Sequence, residues 1–261
     1  MGHPVHPYVD DVSEIAPACR EINEETAKIC DAHPGKLAFL ATLPPLDQPK
    51  TCIGEIAYAL DDLKADGVII FSSYAKKYLG HPDFREVWEE LNRRKTVILI
   101  HPGFEGMNPI EEPVHLAPPV IDWTHETTRT AVHLITTGIT RDFSDVKIIL
   151  SHAGGTLPYV VHRAANLSCR IRLVNMSEEE FIEEARKFYI DVAISAQDPQ
   201  LKLLQEFAKP GHVLFGSDYP WEHAPLVKPQ LAATDKVFAN ETRNAALDLF
   251  PRLQHYHRKL E

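Results

Sequence analysis

Across 261 residues, 37 acidic side chains outnumber 27 basic ones for a formal charge of −10, and 44% of residues are hydrophobic against 25% charged. That balance excludes a disordered chain, and with no basic run longer than Arg93-Arg94-Lys95 it excludes the electrostatic footprint of a nucleic-acid binder. No apolar run is long enough for a membrane span, and four cysteines without CxxC spacing indicate reduced, buried or half-buried thiols in a cytoplasmic setting.

Short β-branched or apolar runs alternate with helical patterns along almost the whole chain, which predicts parallel βα units rather than hairpins. Ile15, Ala18, Cys19, Ile22 and Ile29 define the stripe of a first helix that stops before His33-Pro34-Gly35, and a strand is expected over 37–43. Ile53, Ile56, Ala57, Leu60 and Leu63 mark a second helix, with Gly67 leading into the buried run Val68-Ile69-Ile70-Phe71. Phe84, Val87, Trp88 and Leu91 share one face of the next helix, and Val97-Ile98-Leu99-Ile100 is a strand running into His101-Pro102-Gly103. After a long loop to about residue 122, Thr128, Val132 and Ile135 belong to a helix ending at Gly138. The strand 146–150 then runs into Ser151-His152-Ala153-Gly154-Gly155, and a helix begins near Pro158. Ser177 and Glu180 form a capping box, 188–193 is a strand, and Asp198-Pro199 opens the following helix as N-cap and first turn. The last strand, 213–218, carries Asp218 at its C-terminal end. No linker or internal repeat interrupts this order, and a single domain of about 250 residues is the ordinary size of an α/β barrel.

In such a barrel the C-terminal strand ends face one mouth, where loops assemble the active site. Three strands end in chemistry-bearing residues: His101, His152 and Asp218. Two imidazoles and a carboxylate suit a divalent metal with a proton carrier, although a single His or Asp after a strand often only bonds a loop carbonyl or caps a helix. Gly154 and Gly155 allow close backbone approach by a ligand.

The strings LIHPG, ILSHAGGTLPYVVHR and LFGSDYPW, with REINEETAKICDAHPGKLAFLATLP upstream, resemble the amidohydrolase-related decarboxylases over roughly residues 18 to 251. That group includes aminocarboxymuconate-semialdehyde decarboxylase and the orthohydroxybenzoate decarboxylases acting on γ-resorcylate, salicylate or 6-methylsalicylate. WTHETTRTAVHLI and SHAGGTLPYVVHRAA are most similar to the 6-methylsalicylate type. The resemblance implies a TIM-like (β/α) barrel of the metal-dependent hydrolase type and non-oxidative decarboxylation of a small aromatic or unsaturated carboxylic acid. It implies a divalent metal, Zn²⁺ first and Mn²⁺ second, held by His101 and Asp218, with His152 and Asp218 as the proton-handling residues. Arg163 matches a position where the family can reach into a neighbouring subunit's site to hold a substrate carboxylate, which implies a homodimer; a surface ion pair is the plain alternative. Trp221 and Phe104 are candidates for apolar substrate walls or for core packing.

Counted back from the matched strands, residues 37–43 correspond to the family's third barrel strand. The expectation is therefore a single domain over residues 1–261 with about six of eight strands, lacking the first two βα units and the ligand pair they carry. His3 and His6, three apart and flanked by prolines, point to opposite faces of an extended segment and are poor replacements. An incomplete barrel is expected to expose an edge and part of its interior unless another chain covers them. Two other functions stay open: metal-dependent hydrolysis of a lactone, amide or ester, and a catalytically silent homologue.

Overall fold

The computed structural model describes residues 12–103 and 110–254. Six of the described strands form one parallel sheet in strict chain order: β1 (Leu40–Thr42), β2 (Gly67–Phe71), β5 (Val97–His101), β6 (Lys147–Leu150), β7 (Tyr189–Asp191) and β8 (Val213–Leu214). Each pairs with the next, with Phe71 opposite His101, Ile100 opposite Leu150 and Asp191 opposite Leu214. This is the six-strand α/β arrangement expected of the barrel. The sequence pattern missed a separate antiparallel pair, β3 (Ser73–Tyr74) with β4 (Lys77–Tyr78), because two-residue strands show no period.

Helix α1 (Val12–Ala32) precedes β1, and the other helices lie between or after the strands: α2 (Pro49–Ala57), α3 (Arg85–Arg93), α4 (Asp122–Thr136), α5 (Ile139–Asp142), α6 (Leu157–Arg170), α7 (Glu178–Ala185), α8 (Asp198–Phe207), α9 (Ala224–Phe238) and α10 (Glu241–Leu249). Ser177 caps α7 in the capping box read from sequence. Gln197 rather than Asp198 occupies the N-cap of α8, without a side-chain bond. No described helix is long and apolar enough to cross a membrane. All four thiols are free, three of them buried.

Strand alternation gives the sheet two different faces. Val68, Ile70, Ile98, Ile100, Ile148, Leu150, Ile190 and Val213 join Val87, Trp88, Leu91, Leu134, Val161 and Leu204 of the surrounding helices in the main core. Val97, Ile149 and Leu214 point the other way and pack against Ala245 and Leu249 of α10, with Leu99, Tyr189 and Phe250 at the margin. The exposed interior expected of an incomplete barrel is thus corrected over this stretch: a C-terminal helix lies on the second face. His101 and Asp191 share strand parity with Val97 and Tyr189, so they lie on that same face at its C-terminal end.

The edge of β1 is capped at Thr42. α1 buries Ile15, Cys19, Asn23, Ala27 and Cys30, a stripe stepping mostly by four, whereas Ile29 is 56% exposed. Ile22 and Ala18 pack against Ile15 and Cys19 as expected, but Ile29 falls outside the stripe and a polar residue, Asn23, takes its central buried position. Its amide Nδ2 donates to Thr42 O at 2.9 Å and to Glu55 Oε1 at 2.8 Å, while Oδ1 accepts from Thr42 N at 2.9 Å. One side chain thereby supplies Thr42 with the pairing a further strand would make. Arg20 completes the set by donating to Glu55 Oε2 at 2.7 Å while its guanidinium lies 3.6 Å over the Tyr58 ring. Asn23→Ala strips a buried carboxylate and a strand edge of partners at once, so it is expected to destabilise the fold by about 2–4 kcal/mol. A urea unfolding midpoint unchanged from wild type would contradict this.

His133 on α4 accepts from Gly80 N at 3.2 Å through Nδ1, and burial holds its imidazole below the ordinary value of 6.5, helped by His81. The unfolded chain takes up this proton at a higher pH than the folded chain does. The contribution is therefore complete above the unfolded value and lost as pH falls through the folded one. Thermal melts between pH 8 and pH 5, about the range where histidine titrates, are expected to show stability falling with pH. His133→Gln is expected to flatten that slope; an identical slope would remove His133 from the account.

Candidate active site

His101 is the last residue of β5 and only 8% exposed. Its ring packs against Phe71 (6.3 Å between centroids), Trp123 (5.1 Å, edge-on) and His152 (5.6 Å, edge-on). His152, 6% exposed, follows β6 by two residues and lies nearly parallel to Trp123 at 6.2 Å. The first turn of α4 thus sets an indole beside two imidazoles. The strand register explains the meeting: β5 and β6 are neighbours in the sheet and end at the same level.

Each imidazole has its tautomer set by a carbonyl. His101 Nδ1 lies 2.9 Å from Pro102 O and His152 Nδ1 lies 3.3 Å from Ala193 O, and a carbonyl only accepts, so Nδ1 donates in both. The proton on Nδ1 leaves Nε2 as the basic nitrogen, the form that binds a metal or takes up a proton. His152 Nε2 is buried and has no hydrogen-bond partner, as does Ser151 Oγ next to it. A buried basic nitrogen without a partner is costly unless a ligand completes it.

The backbone at His152 is unusual. His152, Ala153, Gly154 and Gly155 all have positive φ, from 55° to 68°. For the two L-residues this costs roughly 1–2 kcal/mol each. Gly155 serves the chain's own packing, since a Cβ there would lie 2.0 Å from Thr124 O, whereas one on Gly154 would meet Ile190 only at ordinary contact distance. The turn is further pinned by Thr128 Oγ1, which accepts from Thr156 N at 2.7 Å. Gly155→Ala is expected to push α4 and the His152 turn apart, costing at least about 2–4 kcal/mol. A denaturation midpoint within error of wild type would show that the contact yields easily.

Asp191 was read from sequence only as part of a strand. It ends β7 on the His101 side of the sheet, and its Oδ1 accepts from His152 N at 3.1 Å and from Ala193 N at 2.9 Å. Gly216 lies against the carboxyl: a Cβ there would stand 3.1 Å from Asp191 Cγ. Burial pushes this carboxyl above the usual range, opposed by His152 and the two N–H groups. A carboxylate at a C-terminal strand end was the signal that could have found it. Trp123 opens the string WTHETTRTAVHLI, but no local pattern tells that the first turn of α4 faces the two imidazoles.

Asp218 lies four residues beyond β8, half-buried, with φ 59°. The expected strand to 218 stops at Leu214. Arg163 is exposed on α6 and makes no ion pair with a described residue. Trp221 is 71% exposed, so the core-packing alternative for it is corrected. Phe104, like His3 and His6, lies outside the described residues. Among the described residues no three His, Cys, Asp or Glu side chains come together as a metal-holding group. These residues alone therefore do not complete a catalytic metal's coordination, which needs three protein ligands. A cavity of about 250 Å³ bordered by Thr140, Lys147, Tyr189 and His212 lies at the opposite end of the strands.

A buried imidazole pair at the C-terminal end of parallel strands defines a class of strand-end α/β enzyme, and the chain belongs to the amidohydrolase family, whose model matches residues 4–249. It is 44% identical over 256 residues to 6-methylsalicylic acid decarboxylase of Penicillium expansum, a match spanning 94% of this chain and 78% of that protein. Its fold matches 2,6-dihydroxybenzoate decarboxylase from Rhizobium with a TM-score of 0.80 at 20% identity, over 96% of this chain and 82% of the other. It matches 5-carboxyvanillate decarboxylase from Novosphingobium aromaticivorans, solved with manganese and a nitrobenzoic acid, with a TM-score of 0.80 at 20% identity, over 93% and 72%.

Proposed function

We propose that this protein catalyses the non-oxidative decarboxylation of an ortho-hydroxybenzoic acid of the 6-methylsalicylate kind. The observation that carries this is the partnerless, buried Nε2 of His152 beside Trp123 and His101, in a chain 44% identical to a 6-methylsalicylic acid decarboxylase. In this proposal the aromatic acid lies along the Trp123 indole. Protonated His152 gives its Nε2 proton to the ring carbon bearing the carboxylate. The bond to the carboxylate then breaks, its electron pair restores the aromatic ring, CO₂ leaves, and His152 regains a proton from water.

A divalent metal, zinc or manganese, belongs to the proposal because a neighbour of the same fold holds manganese. His101 and Asp218 are its proposed ligands; since the described residues supply no third, no step is written through it. Arg163, exposed on α6, belongs to the proposal as the residue that would reach a second subunit's site in a homodimer, a role supported by its planar guanidinium, which suits a carboxylate. Nothing in the geometry favours hydrolysis.

CO₂ release from 6-methylsalicylate, salicylate and 2,6-dihydroxybenzoate, with metal content measured on the same sample, tests the proposal. His152→Ala is expected to lower kcat by about 10²–10⁴-fold and to leave bound metal unchanged. No release from any of the three acids by metal-loaded protein overturns the reaction, and loss of metal in the variant overturns the proton role.

A further inference from the structure

We propose that Asp191 is a positioning residue for His152, a clamp that fixes the left-handed turn from which the imidazole projects. Four consecutive positive-φ residues, two of them L-residues, do not hold such a conformation on their own preference. Something must favour it over the ordinary alternatives, and the carboxylate does so at the first residue of the run. Oδ1 accepts the His152 N–H at 3.1 Å and, two residues along its own strand exit, the Ala193 N–H at 2.9 Å. Ala193 in turn presents its carbonyl to His152 Nδ1 at 3.3 Å. One carboxylate oxygen therefore fixes both the backbone that carries the imidazole and the segment whose carbonyl sets its tautomer. The third side of the clamp is Gly216, whose missing side chain leaves room for the carboxyl: all three atoms nearest a Cβ there, at 3.1–3.2 Å, belong to Asp191. The exits of β6, β7 and β8 thus meet at this one group.

Only an oxygen acceptor at the right distance is required, which separates a clamp from a proton carrier. Asp191→Asn keeps that acceptor and is expected to stay within about tenfold of wild-type kcat. Asp191→Ala removes it and is expected to lower kcat on the order of 10²-fold with KM little changed, the effect of a displaced reacting group. Gly216→Ala approaches from the other side, pushing the carboxyl away with Asp191 intact, and is expected to lower kcat in the same sense but less. It also serves if Asp191→Ala does not fold. This kinetic arm rests on the decarboxylase proposal, but amide exchange of His152, read by NMR without substrate, does not. Exchange is expected to quicken in Asp191→Ala and Gly216→Ala and to stay slow in Asp191→Asn. Inactive wild type with this exchange pattern overturns the reaction and leaves the clamp standing. Unchanged exchange in both Asp191→Ala and Gly216→Ala overturns the clamp, and so does an Asp191→Asn that keeps slow exchange yet loses as much kcat as Asp191→Ala.

Discussion

The alternation of side chains along parallel strands is the constraint from which the rest of this structure follows. A strand buried on both sides must satisfy two environments at once, and here those environments differ. Even-numbered residues of β5 and β6 enter the helix-packed core, while Val97 and Ile149 meet α10. The same parity carries His101 to the C-terminal end of the second face, beyond the residues that α10 covers, where it meets Trp123 of α4 and His152. The candidate site thus lies where the strand ends leave the aliphatic packing of that face and meet aromatic rings instead.

Polar groups buried at such a place need partners, and the molecule meets the need in two ways. At Thr42 of β1 the answer is complete: Asn23 bonds both backbone groups of Thr42 and one oxygen of Glu55, and Arg20 takes the other. At the strand exits it is deliberately incomplete, since His152 has its backbone and Nδ1 bonded but Nε2 left without a partner. A closed network stabilises; an open one binds or reacts. The left-handed turn at His152 belongs with the second kind, because its conformational cost is accepted at the residue the proposed chemistry uses.

Much of this was legible in the residues. The runs ending in His101 and His152 announced both imidazoles, since a buried apolar run that stops at a polar residue marks a strand end. The face of α3 was equally plain: Phe84, Val87, Trp88 and Leu91 are all buried. Less legible were Asn23, which looks like any polar residue on an amphipathic helix, and Asp191, which sits inside an ordinary strand pattern. Both matter through partners 19 and 39 residues away in sequence, and periodicity registers only neighbours within a turn or two.

By itself the sequence determined the element order, the parallel βα architecture and two imidazoles at strand ends, because hydrophobic period and strand termination are local properties of the chain. Only the tertiary structure decided that Trp123 rather than Trp221 stands beside them, that Gly155 leaves room for Thr124, and that Asp191 joins three strand exits. Those facts depend on which distant segments the sheet register brings to one level, and no local pattern encodes that distance.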